Sequence, residues 1–396
     1  MKILIISHEY PPVGGGGANA CMYLARQYAM AGHEVHIITV WFGGLSENET
    51  ISDYGEHIYI NRLPAKRTNK EHCGFAEMLD FLIKARKYAD SKVASAIKEN
   101  RPFDICQIFF GIPSGPVGLY LKRKYSLPYV IRFGGGDIPG FQDRFAFVYK
   151  LIGPAIKIIW KRADALVANS VGLKSLAQDF CDRYPIRVFP NGVDTDTFCP
   201  LNDRDFSGNH IELLFVSRLI ERKGLQYVIP YLHEIETSSG RKIHLTIVGD
   251  GPYRGTLQTM AEESGVSSLI TFEGQKDKSE LLPYYQSGDI FVFPSKKEGM
   301  PNAVLEAMAC GLPIVMSPCQ GSSELIDENG VISAPDPTKF KESLIDVTSA
   351  DNEELKQMSH CSRQRAQYLF LWKSVAERYL ELFKYICLCY CDVYRT

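Results

Sequence analysis

The sequence predicts an α/β protein built on two largely parallel sheets, and two observations carry that expectation. Short apolar runs alternate with stretches of helical periodicity along most of the 396 residues, the pattern of successive β-α-β units. That length also exceeds what one hydrophobic core usually organises, so two domains are expected. Residues 199–210, CPLNDRDFSGNH, are rich in turn formers and lack apolar periodicity, which makes them the expected seam.

Strands are expected in the first half at 2–7, 34–40, 57–61, 105–109, 129–133, 165–168 and 187–189, each an apolar or β-branched run bounded by turn residues. The second half offers 212–217, 244–248, 269–272, 289–293 and 313–316 on the same grounds. Each half therefore reads as a Rossmann-like domain, the first over 1–200 and the second over 210–371, with a further helix in 372–396. The opening run MKILIISHEYPP stops at His8 and Glu9, too soon for a signal-peptide core, and reads as the first strand.

Composition narrows the setting. Hydrophobic residues make up 45% and charged residues 23%, as in ordinary soluble domains. The longest apolar stretch, 145–160, is broken by Lys150, Gly153, Pro154 and Lys157, so no membrane span is expected. Eleven cysteines, an odd number scattered over a long chain, suit reduced thiols and a cytoplasmic location. Charge is uneven: residues 1–205 hold 25 Lys/Arg against 21 Asp/Glu, and residues 206–396 hold 19 against 25. Basic groups at Arg62/Lys66/Arg67/Lys70, Lys84/Arg86/Lys87 and Lys122/Arg123/Lys124 are either solvated faces or contacts for an anionic surface. With aromatic and aliphatic residues across 141–160 beside Arg144, Lys150 and Lys157, they lead to the expectation of a peripheral contact with the inner face of a membrane. No nucleic-acid partner is expected.

The chemistry concentrates in the loops after strands. The most informative stretch is 293–315, FPSKKEGMPNAVLEAMACGLPIV, which reads as strand, polar loop and helix. Glu298 lies on the loop with Gly299, Met300, Pro301 and Asn302, and Glu306 lies in the following helix. Pro301 suits a helix start, where the missing N–H costs nothing, and Gly311 with Pro313 stops the run. A helix N-terminus offers N–H groups to an anion, and a carboxylate on either side can grip hydroxyls. A diphosphate joining two sugars has that pattern of charge and hydroxyls. In the run VSRLIERKG, Arg218 and Lys223 follow another strand, where parallel sheets bind ligands, and both can neutralise a diphosphate; Arg222 between them reads as solvent-facing.

The first strand leads into HEYPPVGGGGANA, whose Gly15 and Gly16 let a backbone approach an anionic ligand closely. A dinucleotide fingerprint starting at Gly14 would put Asn19 at its last glycine, and the second strand ends Thr39-Val40-Trp41 with no acid for a ribose, which argues against a nicotinamide cofactor. Residues 131–140, IRFGGGDIPG, present Asp137 after a strand, as a site group or a helix cap. Asp194 and Asp196 form an Asp-x-Asp, but in an Asn-Gly turn near the seam, so no metal is expected there.

These loops resemble the retaining GT-B glycosyltransferases of family 4, also called glycosyl transferases group 1. Glu298 and Glu306 match the family's Glu-x7-Glu motif, and Arg218 with Lys223-Gly224 its Arg…Lys-Gly pair. Pro11-Pro12 with the Gly14–Gly17 run, Asp137, and Asn191-Gly192-Val193-Asp194 with Phe198 match further segments. The resemblance spans about residues 1–385 and is stronger in the second half. One departure stands out: Gly134 lies where many relatives carry His.

What the resemblance implies is a GT-B fold, two Rossmann-like domains facing a cleft, with the terminal helix crossing back to the first. Arg218, Lys223, Glu298 and Asp137 would be catalytic. Gly15, Gly16, Gly299, Met300, Pro301, Asn302 and Glu306 would bind the donor, a UDP- or GDP-sugar, with no other cofactor. A hexose would pass to an acceptor hydroxyl with retention, in cell-envelope polysaccharide or glycolipid synthesis, the acceptor being lipid-linked or membrane-proximal. A nucleotide-sugar epimerase, a phosphorylase or a catalytically silent binder on the same fold are the competing expectations.

Overall fold

Alternation along the first strand shows how the amino-terminal core is built. In β1 (Lys2–Ile6) Ile3 and Ile5 face one apolar cluster while Leu4 and Ile6 face another, so both faces of the sheet are covered. The computed structural model describes residues 1–70, 73–141 and 146–393, with side chains to residue 390. Two compact units result, Met1–Asn191 with Trp372–Thr396, and Gly192–Leu371.

The first unit adds β2 (Glu34–Val40), β3 (Asn48–Ile51), β4 (Ile58–Leu63), β5 (Ile105–Phe109), β6 (Tyr129–Arg132), β7 (Ala165–Ala168) and β8 (Ile186–Val188). Their order is β3-β4-β2-β1-β5-β6-β7-β8, parallel except for β3 against β4. The edge strand β3 has the sequence NETI and is largely exposed, which is why no apolar run announces it. The helix Trp372–Val393 lies on the cluster that also holds the helix Gly16–Met30. Tyr23 stacks on Trp372 at 5.3 Å, and Tyr379 and Phe383 are fully buried.

The second unit comprises β9 (His210–Val216), β10 (Lys242–Val248), β11 (Ile270–Gly274), β12 (Ile290–Phe293), β13 (Ile314–Met316) and β14 (Gly330–Ile332), all parallel in the order β11-β10-β9-β12-β13-β14. The division falls between Asn191 and Gly192 rather than in residues 199–210, and the reason is packing. Phe198 is buried against Tyr285, and Arg363 donates to the carbonyls of Thr195, Phe198 and Ala309. Arg204 likewise reaches the carbonyls of Tyr285, Gly288 and Cys310, tying the turn-rich stretch to the second core.

Both sheets change direction once. Connections run outward from β1 on one side and β5 on the other, and likewise from β9 and β12. At such a switch the loops leaving the carboxyl ends of the two central strands diverge, opening the crevice where open α/β sheets take ligands.

Candidate functional site

In the second unit the loops after β9 and β12 meet at the switch point. Glu298 is the centre of a charged group there. Its Oε1 lies 2.8 Å from Lys223 Nζ and 3.2 Å from Arg222 Nη1, and accepts from Ser295 Oγ at 2.7 Å. Burial alone would raise the Glu298 carboxyl, but the Lys223 and Arg222 charges and the bonds from Lys223 and Ser295 outweigh it and hold the carboxyl below its usual range. Burial lowers the Lys223 ammonium from its ordinary value against the pull of Glu298. Lys223 Nζ also sits 4.9 Å from the centre of the Phe293 ring, which narrows its freedom. Arg222 is exposed, as expected, and also donates to the Lys297 carbonyl and to Glu298.

Glycines set the backbone around these cations. Gly224, at φ +81°, follows Lys223 directly, and a Cβ there would overlap the Pro294 carbonyl after β12. The turn Val248–Pro252 closes on the Arg218 loop: Leu219 N donates to Asp250 O at 2.9 Å, Ser217 N to Val248 O at 3.1 Å, and Gly249 and Gly251 leave no room for a Cβ against Ser217 and Leu219. That turn positions Arg218, which is half-buried.

The helix Asn302–Ala309 starts beside this group. Its N-cap residue Pro301 supplies no side-chain cap, and no acidic residue lies in its first turn. Met300 is buried, Gln320 N donates to Glu298 O at 3.0 Å, and Gly321 packs against Gly299 O, so residues 319–322 brace the Glu298 loop. Glu306, one turn into the helix, is buried. Its Oε2 accepts from Tyr285 Oη at 2.9 Å, and its Oε1 lies 2.9 Å from Lys278 Nζ. Burial raises the Tyr285 hydroxyl well above its usual value, which keeps it a donor. Sequence reasoning missed Ser295, Tyr285 and Lys278. Ser295, three residues before Glu298, carried a local signal; Tyr285 and Lys278 carried none, because they reach Glu306 across the fold.

In the first unit the loops after β1 and β6 hold the other expected residues. Gly15 caps the helix Gly16–Met30 and has open space where a Cβ would go. The glycines that packing requires are instead Gly14, at φ +95° against the Glu9 side chain, and Gly17, against the Phe110 ring. Both oxygens of Asp137 are engaged: Oδ2 accepts from Gly111 N at 2.6 Å and Oδ1 from Gly134 N at 2.8 Å. Burial pushes its carboxyl up to about 6 against those two bonds. It joins two loops and is buried. Gly134 also has a steric reason, since the Phe110 ring fills the space a side chain there would need.

Asp194 Oδ1 accepts from the Asp196 and Thr197 amides and Oδ2 from Thr197 Oγ1 at 2.7 Å, a local turn. Among the described residues no group of three His, Cys, Asp or Glu could hold a metal ion.

Comparison with known proteins agrees with the sheets and loops. A family model described as Glycosyltransferase Family 4 matches residues 14–197, and one described as Glycosyl transferases group 1 matches residues 210–349. An uncharacterized glycosyltransferase of Methanocaldococcus jannaschii is 23% identical over 94% of this chain and 95% of its own length. A GDP-mannose-dependent alpha-(1-6)-phosphatidylinositol monomannoside mannosyltransferase of Mycolicibacterium smegmatis is 29% identical over 58% of this chain and 64% of its own. The solved structure of sucrose-phosphate synthase from Thermosynechococcus elongatus superposes with a TM-score of 0.79 at 21% identity, covering 98% of this chain and 100% of that one. The solved structure, matched end to end, shows the GT-B fold, and the two family models that together take in both units lead to one conclusion: the chain belongs to the family 4 glycosyltransferases.

Proposed function

We propose that this glycosyltransferase moves a hexose from a UDP- or GDP-sugar to an acceptor hydroxyl with retention at the anomeric carbon. The observation that carries the reading is the Lys223–Glu298 ion pair beside Arg218 and an uncapped helix start, all at the switch point of the second sheet. The bond from the anomeric carbon to the diphosphate breaks while the bond to the acceptor oxygen forms, and the acceptor proton leaves with the diphosphate. Arg218, Lys223 and the first N–H groups of Asn302–Ala309 stabilise the negative charge that builds on the leaving group. Glu298 holds sugar hydroxyls, and Glu306, fixed by Tyr285 and Lys278, holds the ribose. For Asp137, whose oxygens are both engaged by backbone N–H groups, the role is to hold the Gly111 and Gly134 loops on the acceptor side. Retention rests on the family likeness.

Incubation with UDP-glucose and with GDP-mannose, among other nucleotide-sugars, tests the reading through release of free nucleotide. Slow hydrolysis accelerated by an added hydroxyl acceptor is the expected result, and prolonged chelation should leave most of it intact because protein cations do the work of a metal. A change of sugar isomer would indicate an epimerase, and saturable binding without turnover a silent binder. Activity abolished by chelation and restored by magnesium or manganese would return the Asp194/Asp196 pair to consideration.

The acceptor belongs, in this reading, to cell-envelope polysaccharide or glycolipid synthesis at the inner face of a membrane. Among the described residues no helix is long and apolar enough to cross one. Within 141–160 the expected apolar set divides: Tyr149, Ile156, Ile159 and Trp160 are buried, Phe141 is half-buried, Phe147 and Ile158 are exposed, and Arg144 and Phe145 lie outside the described residues; Leu151, beside the set, is exposed too. A second exposed stripe, Phe75, Leu79 and Ile83, runs at four-residue spacing along the helix Phe75–Lys98, followed by exposed Arg86 and Lys87. Other basic residues are already engaged: Arg62 with Glu49, Lys122 with Asp164 and Lys124 with Asp90. Weak flotation with phosphatidylglycerol vesicles at low salt is therefore expected, at about 1 kcal/mol per basic residue near the surface, and it should vanish as salt rises. Vesicles that float alone at every salt concentration would leave a soluble acceptor as the better reading.

A further inference from the structure

Three donors converge on one oxygen of Glu298 and leave the other open. Lys223 Nζ at 2.8 Å, Arg222 Nη1 at 3.2 Å and Ser295 Oγ at 2.7 Å all reach Oε1. Oε2 has no partner among the described residues, and it is not one of the buried polar atoms left without one, so solvent reaches it. A carboxylate has about four acceptor positions, shared between its two oxygens. Ion pairing by itself spreads donors over both, and a guanidinium frequently takes the two oxygens as a fork. Arg222 does not, because the Nη1 that meets Oε1 is also tied to the Lys297 carbonyl.

The main chain around the carboxylate is fixed as well. Gln320 N donates to the Glu298 carbonyl at 3.0 Å, and Lys296 N to the Arg222 carbonyl at 3.0 Å. What remains free is the plane of the carboxylate, since the last torsion of a glutamate side chain is broad. Lys223 and Arg222 do not set that plane, because a cation attracts either oxygen and is best served by both. Ser295 does set it. The residue is 1% exposed, and its Oγ lies 2.7 Å from Oε1 but 3.5 Å from its other acceptor, the Arg222 carbonyl. Its single proton therefore goes to Oε1, and the opposite oxygen points away from all three donors.

We propose that Ser295 is a positioning residue for transfer: by fixing the plane of the Glu298 carboxylate it keeps Oε1 on the cations and presents Oε2 to a single hydroxyl of the transferred sugar. The proposal rests on the transferase reading above and narrows its sugar contact to one hydroxyl. It also makes that hydroxyl a determinant of donor choice, since a sugar without it leaves Oε2 facing carbon. The serine is neutral, so its removal changes no charge around the leaving diphosphate. Without it the carboxylate turns to share both oxygens with Lys223 and Arg222, and the sugar hydroxyl loses its acceptor.

Ser295→Ala and Ser295→Cys test it, assayed by nucleotide release with water as acceptor. The donors are UDP-glucose or GDP-mannose, whichever the wild type turns over, and forms of that donor lacking one sugar hydroxyl at a time. Comparing each deoxy penalty between wild type and variant cancels the intrinsic reactivity of the deoxy sugar. Wild type should lose about 10- to 100-fold in kcat/KM at one deoxy position. Ser295→Ala should lower kcat on the parent donor about 10-fold and bind UDP or GDP alone as before. It should also shrink that one deoxy penalty to about threefold or less while keeping the penalties at the other positions. Ser295→Cys fills the same space with a weak donor and should follow Ser295→Ala, whereas a serine that only packs predicts wild-type kcat in Ser295→Cys.

Wild-type kcat in the folded fraction of Ser295→Ala, or penalties unchanged at every position, would overturn the proposal and leave the transferase reading standing. Two positions shrinking together would overturn it too, because both oxygens would then face the sugar. If Ser295→Ala does not fold, Ser295→Cys carries the same comparison. Wild type that turns over every deoxy donor within about twofold of the parent overturns the proposal without any variant. A wild type that releases no nucleotide from any donor would overturn the transferase reading and this one with it.

Discussion

Lys223→Ala is expected to lower turnover by about 100-fold or more, the scale of losing one preorganised donor to a developing anion, while donor affinity falls much less. The side chain is placed for this by three constraints: Glu298 at 2.8 Å, the Phe293 ring beneath it, and the bend at Gly224. Removal also leaves the half-buried Glu298 with the Arg222 charge and the Ser295 hydrogen bond as the partners described for it. Part of any loss will therefore come from a displaced carboxylate. Glu298→Gln in the Lys223→Ala background separates the two contributions. If the pair acts as a unit, the double variant will be little worse than the single one, and the double-mutant cycle will show strong coupling. Single-turnover kinetics giving wild-type rates in Lys223→Ala would remove this lysine from the chemistry.

Gly224→Ala is expected to cost more stability than any surface change in the second unit, on the order of 2–4 kcal/mol, from backbone strain and steric overlap together. The new Cβ would fall on the Pro294 carbonyl, and at φ +81° the backbone already disfavours any side chain. Relief requires the Lys223 turn to move away from β12, so activity should drop with stability. Gly255→Ala is the control. It lies in the helix Arg254–Glu263 with open space around the added methyl, and should be neutral or stabilising by about 0.5 kcal/mol. Urea unfolding midpoints decide the comparison; equal midpoints for the two variants would show that the close approach at Pro294 is easily relaxed.

Both predictions concern residues that the sequence announced, and the reasons are local. A strand, a charged loop and a helix start can be read from period, Pro and Gly alone, which is why Arg218, Lys223, Glu298 and Glu306 were visible before any coordinates. The parallel α/β class was legible for the same reason: apolar runs in β1, β5, β9 and β12 are buried on both faces. The strand β3 was not, because its stability comes from pairing with β4 rather than from its own polar residues. The three-residue β14 escaped likewise, since so short a strand exists only through pairing with β13.

The sequence by itself determined the fold class, the loops that carry the chemistry, and the family to which they are similar. Local spacing sets those properties, and local spacing is what a sequence displays. Only the tertiary structure decided which side chains share a charge. It brought Arg222 and Ser295 to Glu298, Tyr285 and Lys278 to Glu306, and the backbone of Gly111 and Gly134 to Asp137. It also placed Phe110 over His8 and so gave Gly134 its steric reason. Such contacts join residues far apart in the chain through burial and packing, and burial sets whether a carboxylate is an exposed acid, a structural tie or half of an ion pair.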